Sequence, residues 1–241
     1  MVYLDRRELA LGFATVAVTN SLIGTAAQAA GGITPDGASA LIVVDVQNCF
    51  LPGGSLAVKD GDQVVPVINK IAKGFANIVM TQDWHTAHHV SFASSHAGKK
   101  PFDVVDLPYG KQVLWPDHCV QGTDGANLSK NLELPTAQLI IRKGFHNDVD
   151  SYSAFLEADK KTSTGLASYL KARGIKTVFV TGLATDFCVA WTAIDARAAG
   201  FTAYVVEDAC RGIDASGSMA KAWADMTKAG VKKIQSADLT V

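Results

Sequence analysis

A basic excess is missing from this sequence: 22 lysines and arginines stand against 23 aspartates and glutamates, for a formal net charge of −1. That excludes a chain held to nucleic acid by bulk charge. No run of like charges reaches the length, about five or six, that marks an interaction tail. Past the first thirty residues no apolar stretch is long enough to span a bilayer. Cysteine is scarce, and Cys49, Cys119, Cys188 and Cys210 share no paired spacing. A framework of disulfides is not expected in a domain of this size, so free thiols are expected. What remains is an ordinary globular mixture, 48% apolar and 19% charged, long enough for one large α/β domain or two small ones.

Residues 1–30 differ from the rest. Arg6 and Arg7 precede an Ala-rich apolar stretch from Leu9 to Ala27, interrupted by Thr19, Asn20 and Ser21. It closes on Ala27-Gln28-Ala29, a small-x-small site. The segment resembles a twin-arginine export signal, removed on passage to the periplasm. Asp5 before the pair and Leu9 in place of a more usual Phe depart from that pattern, and the other reading is a short N-terminal helix on a cytoplasmic protein. The folded domain is then residues 31–241. No linker or internal repeat divides it.

Six apolar runs suit strands buried on both faces of a parallel sheet: Ala40 to Asp45, Asn77 to Thr81, Ala137 to Lys143, Lys176 to Gly182, Thr202 to Asp208 and Val231 to Ser236. Helical patterns lie between most of them. Val64, Val67, Ile68, Ile71 and Phe75 fall on one face of a 3.6-residue period, as do Leu166, Tyr169 and Leu170. Further helices are predicted from Phe187 to Ala199 and from Ala215 to Ala229, each ended by a glycine. The alternation predicts a single three-layer α/β domain with about six parallel strands and helices on both faces. A long irregular stretch, Asp83 to Leu134, is of the kind that carries function. Exposed helices at the sheet edges allow self-association.

Ligands of such sheets bind beyond the carboxyl ends of the strands. Asp45, Asp83, Lys143 and Cys188 all fall at or just after a strand end. Cys188 sits in a predicted first helical turn, with Asp186 where an N-cap would be. Helix-start amides lower a thiol pKa and can hold an oxyanion. Asp45 in a dry pocket would accept the thiol proton, and a buried Lys143 would hold an anionic intermediate. Each has a plainer reading: an inert core thiol, a loop-capping carboxylate, a lysine on an exposed rim. Asp83 and His85, two apart, with His118 further on, offer one carboxylate and two imidazoles, a set suited to zinc, iron or manganese. His88, His89 and His96 are further candidates.

Taken together, "VVDVQNCFLPGGSLAV", "TQDWHTAHHVSFASSH", "VLWPDHCVQGTDGA", "RKGFHNDVDSYSAF", "GLATDFCV" and "VVEDACRGID", in that order, resemble the nicotinamidase/pyrazinamidase branch of the isochorismatase-like cysteine hydrolases. The resemblance runs from about Ala40 to the C-terminus. It implies a six-stranded parallel sheet, hydrolysis of nicotinamide (and pyrazinamide) to the acid and ammonia, and a place in NAD salvage. It puts Asp45, Lys143 and Cys188 on the catalytic triad. It puts Asp83, His85 and His118 on the metal ligands, with His89 matching a further ligand of some members. Phe50 and Trp115 match ring-lining positions, Tyr152 follows the lysine motif, and a cis peptide between Leu183 and Ala184 would aim the Ala184 and Cys188 amides at an oxyanion. It implies no nucleic-acid partner, and no membrane attachment once a signal is removed. Cys49 departs from the family's D-x-Q-N-D-F, and a second thiol near Cys188 raises oxidative inactivation as an expectation. Two other functions remain open: a related amidase acting on carbamoyl or ureido compounds, and a non-catalytic metal-binding domain with Cys188 inert.

Overall fold

The run SALIVV forms β1 (Ser39–Val44), and all six of its side chains are buried, which requires cover on both faces of the sheet. The computed structural model describes residues 32–241; the export signal read in residues 1–30 lies outside the described residues. After β1 come α1 (Val64–Ile71), β2 (Asn77–Asp83), β3 (Val104–Leu107), β4 (Gly110–Val113) and β5 (Leu139–Lys143). Then follow α2 (Leu166–Ala172), β6 (Thr177–Leu183), α3 (Ala190–Ala198), β7 (Thr202–Arg211), α4 (Ser218–Lys228) and β8 (Lys232–Ile234). Six of the strands form one sheet in the order β5-β2-β1-β6-β7-β8, every neighbouring pair parallel.

Alternation along β1 sorts the two cores, because successive side chains point to opposite faces. Leu41 and Val43 pack with Val64, Val65, Ile68 and Ile71 of α1. Ala40, Ile42 and Val44 pack with Leu166 and Leu170 of α2, Ala190, Ala193 and Ala196 of α3, and Ala222 and Met226 of α4. Each large aliphatic side chain buried in these layers contributes about 1.5–3 kcal/mol. The three-layer α/β architecture read from the sequence is the one observed. No helix among the described residues is long and apolar enough to cross a membrane.

Three local expectations need correction. The stretch from Asp83 to Leu134 contains an antiparallel hairpin, β3 with β4, which no apolar run betrays because half of its residues face solvent. The helix expected from Phe187 starts slightly earlier, at Thr185, with a π-helical turn over Thr185–Val189 closed by Val189 N–H on the Ala184 carbonyl at 3.1 Å, before α3 proper. The helix expected from Ala215 begins at Ser218, because Asp214 and Ser216 hold left-handed φ angles of 55° and 53° that break the helical path.

Chain order turns at β1: β2 and β5 lie on one side, β6, β7 and β8 on the other. The carboxyl ends at this switch point open a crevice. Gly182, with φ 107°, lets β6 lie tight against β1 there; a Cβ at that position would stand 2.0 Å from the Val44 carbonyl oxygen.

Candidate active site

β1 delivers Asp45 one residue past its end, with a left-handed φ of 48°. A non-glycine residue keeps such a backbone only when its surroundings hold it. Here Asp45 N–H donates to Thr81 Oγ1 at 3.1 Å, and the Thr81 hydroxyl donates to Asp45 Oδ1 at 2.5 Å. β5 ends on Lys143, which is wholly buried. Its ammonium lies 2.7 Å from Asp45 Oδ2 and 3.3 Å from Cys188 Sγ. It also donates to the Ser151 carbonyl at 3.0 Å and pairs with Asp83 Oδ1. One ligand atom from each of Asp45, Asp83 and Cys188 lies within 4.8 Å of the others. The plainer readings of Asp45 as a loop cap and Lys143 as a rim lysine are therefore excluded.

Burial pushes the Cys188 thiol well above its ordinary range; Lys143 pulls the other way, while Asp83 and Asp45 reinforce the rise. This corrects the expectation of an acidified thiol: Cys188 does lie in the π-helical turn that opens into α3, but burial and the neighbouring carboxylates outweigh that position. Burial also raises Asp45, against the pull of Lys143. For Lys143 burial opposes the charge, but Asp45 and Asp83 prevail and hold the ammonium well above its usual range. The resting arrangement is a protonated thiol beside a carboxyl with raised proton affinity, both touching a fixed cation.

Asp83, at the end of β2, faces two imidazoles. Asp83 Oδ2 lies 3.6 Å from His85 Nε2 and 3.7 Å from His118 Nε2. His85 Nδ1 meets the Gly144 carbonyl at 2.9 Å, and His118 Nδ1 meets the Pro116 carbonyl at 2.8 Å. Spending each Nδ1 on a carbonyl turns each Nε2 toward Asp83, the outer support typical of metal-binding histidines. Gly144, with φ 67°, is part of this: a Cβ there would stand 2.5 Å from the His85 ring. Burial works to raise Asp83, yet Lys143, His118 and His85 hold its carboxyl well below the usual range. One ionised carboxylate and two imidazole nitrogens converge within 4.8 Å, a donor set that fits a divalent cation.

His89 lies outside the Asp83, His85 and His118 set but forms a second group with His85 and Asp150, whose ligand atoms lie within 4.8 Å of one another. Its Nδ1 accepts from Ser91 N–H at 3.2 Å and meets Ser91 Oγ at 2.7 Å, and its Nε2 meets the carbonyls of His146 and Val149 at 2.9 and 3.2 Å. Burial lowers it to about 4, so it is a neutral ring with both nitrogens engaged. His88 is exposed, and His96 Nε2 meets the Val90 carbonyl at 2.7 Å.

A small cavity of about 20 Å³ joins the thiol to the Asp83, His85 and His118 set. Phe50, Trp115, Tyr152, Ala184 and Cys188 line it, as the sequence led one to expect, together with Leu56, Asp150, Phe187 and Ile213, which were not foreseen. Larger hollows elsewhere, such as a groove of about 700 Å³ along α3 and α4, contain none of the clustered acid, thiol and imidazole groups. The Tyr152 hydroxyl accepts from Trp115 Nε1 and from Gln112 Nε2, each at 3.0 Å, and Gln112 Nε2 also donates to Asp150 Oδ2 at 2.7 Å. This network fixes the indole plane. Gln47 was likewise not singled out: its side-chain amide pairs with both the N–H and the carbonyl of Asp83, each at 2.8 Å. The motif D-x-Q carried that signal, since a buried Gln three residues after a strand needs a backbone partner.

Two cysteine expectations are overturned. Cys49 and Cys119 form a disulfide, and only Cys188 and Cys210 are free. Cys49 is therefore not a second thiol available to Cys188; a 70-residue separation gave no hint of the pairing. Asp186 is not an N-cap. Its carboxylate accepts from Ile213 and Asp214 N–H at 3.0 and 2.8 Å and from the Ser218 hydroxyl, tying the π-helical turn to the start of α4. The Leu183–Ala184 peptide is cis.

A parallel sheet covered on both faces, with a thiol, an acid and an ammonium gathered at its switch point, defines a hydrolase of the α/β class. The chain belongs to the isochorismatase family: the Isochorismatase domain matches residues 39–238. It is 63% identical over 202 residues to a nicotinamidase of Acinetobacter baylyi, covering 84% of this chain and 94% of that one. It resembles the solved nicotinamidase and pyrazinamidase of Acinetobacter baumanii with a TM-score of 0.84 and 60% identity, over 84% and 98% of the two chains. It also resembles the zinc complex of a Pyrococcus horikoshii pyrazinamidase, with a TM-score of 0.68 and 36% identity, over 82% and 99%.

Proposed function

We propose that this chain is a metal-dependent nicotinamidase, hydrolysing nicotinamide, and by the same chemistry pyrazinamide, to the carboxylate and ammonia. The observation that carries the reading is the contact of one buried ammonium with both the Asp45 carboxyl and the Cys188 sulfur, beside the Asp83, His85 and His118 set. Asp83, His85 and His118 would hold a divalent ion, which would supply Lewis acidity toward the substrate ring; zinc accords with the Pyrococcus relative, and iron or manganese suit the same donors.

The remaining steps belong to the chain. Phe50, Trp115 and Tyr152 hold the ring and exclude water, and such orientation contributes several kcal/mol, up to about 7–11 in the best cases. Asp45 takes the Cys188 proton as sulfur bonds to the amide carbon. The Ala184 and Cys188 amides receive the oxyanion. Asp45 returns the proton to the leaving nitrogen as the C–N bond breaks, releasing ammonia and leaving a thioester. Water then adds to the thioester carbon, giving a proton to Asp45, and the C–S bond breaks to regenerate the thiol. Lys143 keeps one positive charge against the pair throughout.

The test is ammonia release from nicotinamide by wild type and Cys188→Ala, with bound metal assayed in both. The expected result is a loss on the order of 10³-fold or more with metal retained. Undiminished release by Cys188→Ala would refute the thioester route, and hydrolysis of ureido compounds in place of nicotinamide would reassign the substrate.

We also propose export to the periplasm. The paired arginines support it, as does the Cys49–Cys119 bridge, because disulfides persist in oxidising compartments. A mature chain that has lost the segment bearing Arg6 and Arg7 is expected on N-terminal sequencing; an intact Met1 in the exported fraction would contradict it.

A further inference from the structure

The Cα atoms of Cys49 and Cys119 lie 5.7 Å apart, a span that disulfides occupy. Both residues are buried. Each stands next to a residue of the site in sequence: Cys49 precedes Phe50, and Cys119 follows His118. The rings of Phe50 and His118 are in contact, with centroids 5.5 Å apart.

Cys119 is also tied to the backbone of the second histidine, His85. Its carbonyl accepts the His85 N–H at 3.1 Å, and its neighbour Val120 forms a parallel bridge with His85. The Cys119 backbone is left-handed, φ 46°, a conformation that a non-glycine residue keeps only where its surroundings over-determine it. That turn lets His118 face Asp83 while Val120 pairs with His85. On the other side of the bridge, Cys49 is fixed by Leu56 N–H on its carbonyl at 3.0 Å, and Asn48 by its own N–H on the Asn127 carbonyl at 3.0 Å.

We propose that the Cys49–Cys119 disulfide is a positioning brace for the metal site. It pins the turn that aims His118 at Asp83, and it holds Phe50 against the His118 ring. The inference rests on Asp83, His85 and His118 being the ligands. Opening the bridge unties a ligand and a ring-lining side chain together, so metal retention and KM change first. The contacts of Lys143 with Asp45 and Cys188 come from other strand ends, so kcat at saturating metal and substrate changes less.

The experiment compares oxidised wild type, wild type reduced with a phosphine, and Cys49→Ser. The phosphine is oxidised to its oxide, with water supplying the oxygen and the two thiol protons as the S–S bond breaks. Thiols are counted in denatured, unreduced protein, and zinc release to a colorimetric chelator is timed in native protein. Two titratable thiols are expected in oxidised wild type and four after reduction. Zinc release should quicken at least about tenfold in the reduced and Cys49→Ser proteins, the usual scale for an outer support of a metal ligand. KM for nicotinamide should rise with it, and reoxidation should restore both. Four thiols before reduction, or zinc release indifferent to the bridge, overturns the brace. If Cys49→Ser does not fold, the reduced wild type gives the same measurement. Zinc release is read without substrate, so a chain that binds zinc through His118 yet leaves nicotinamide intact defeats the proposed activity alone.

Discussion

The ammonium of Lys143 lies 2.7 Å from Asp45 Oδ2, with neither side chain open to solvent. A pair so placed is kept only where the charges answer each other, because desolvating each costs several kcal/mol. Removing the cation strands the carboxylates of Asp45 and Asp83. Lys143→Met should therefore destabilise the fold by about 3–5 kcal/mol as well as abolish ammonia release. Urea unfolding checks this, and adding Asp45→Asn should recover part of the stability but none of the activity.

Thr81 does not line the cavity at the thiol, yet its hydroxyl reaches Asp45 Oδ1 at 2.5 Å. Thr81→Val keeps the shape and leaves a buried acceptor short of a donor, a change that costs about 1–3 kcal/mol. Steady-state kinetics should show a lower kcat with KM nearly unchanged, since the ring contacts are elsewhere. A rise in KM alone would mean that Thr81 does not act through Asp45.

Chelation should remove both activity and stability. A ligand that binds only the folded chain adds about 2.7 kcal/mol at a hundred times its Kd. Treatment with a chelator should lower the thermal midpoint of wild type and leave His118→Ala, already short of a ligand, almost unmoved. Readdition of zinc should reverse the shift in wild type only.

Cys210 provides a pH signature away from the metal. Burial pushes its thiol up to about 12, against about 8.5 in an unfolded chain. The unfolded state therefore loses the proton first. The contribution is intact below about pH 8.5 and declines as pH rises toward 12, at up to about 1.4 kcal/mol per pH unit. Between pH 9 and 11, unfolding free energies of Cys210→Ala should fall less steeply than those of wild type. Parallel curves would show that the thiol titrates normally.

Much of this was legible in the sequence because it obeyed a period. Residues 40–44 are apolar throughout, so a doubly covered strand was the consistent reading, and Asp45 at its end marked the crevice. The chemistry-bearing side chains at the other strand ends followed the same logic. What was hidden depended on partners far along the chain. Nothing near Cys49 points to Cys119, and nothing near Asp186 points to the Ile213 and Asp214 amides. In the β3–β4 hairpin, β3 alternates exposed and half-buried positions and β4 follows no period, too weak a pattern to detect. The raised Cys188 thiol came first from burial, with Asp83 and Asp45 adding to it against Lys143, and local helix position could not reveal that balance.

The chamber around the thiol, at about 20 Å³, has room for about one water molecule. A pyridine carboxamide is larger than that, so side chains of the lining must shift for it to enter. Each turnover therefore includes a rearrangement of this lining as well as the bond changes at sulfur and carbonyl carbon.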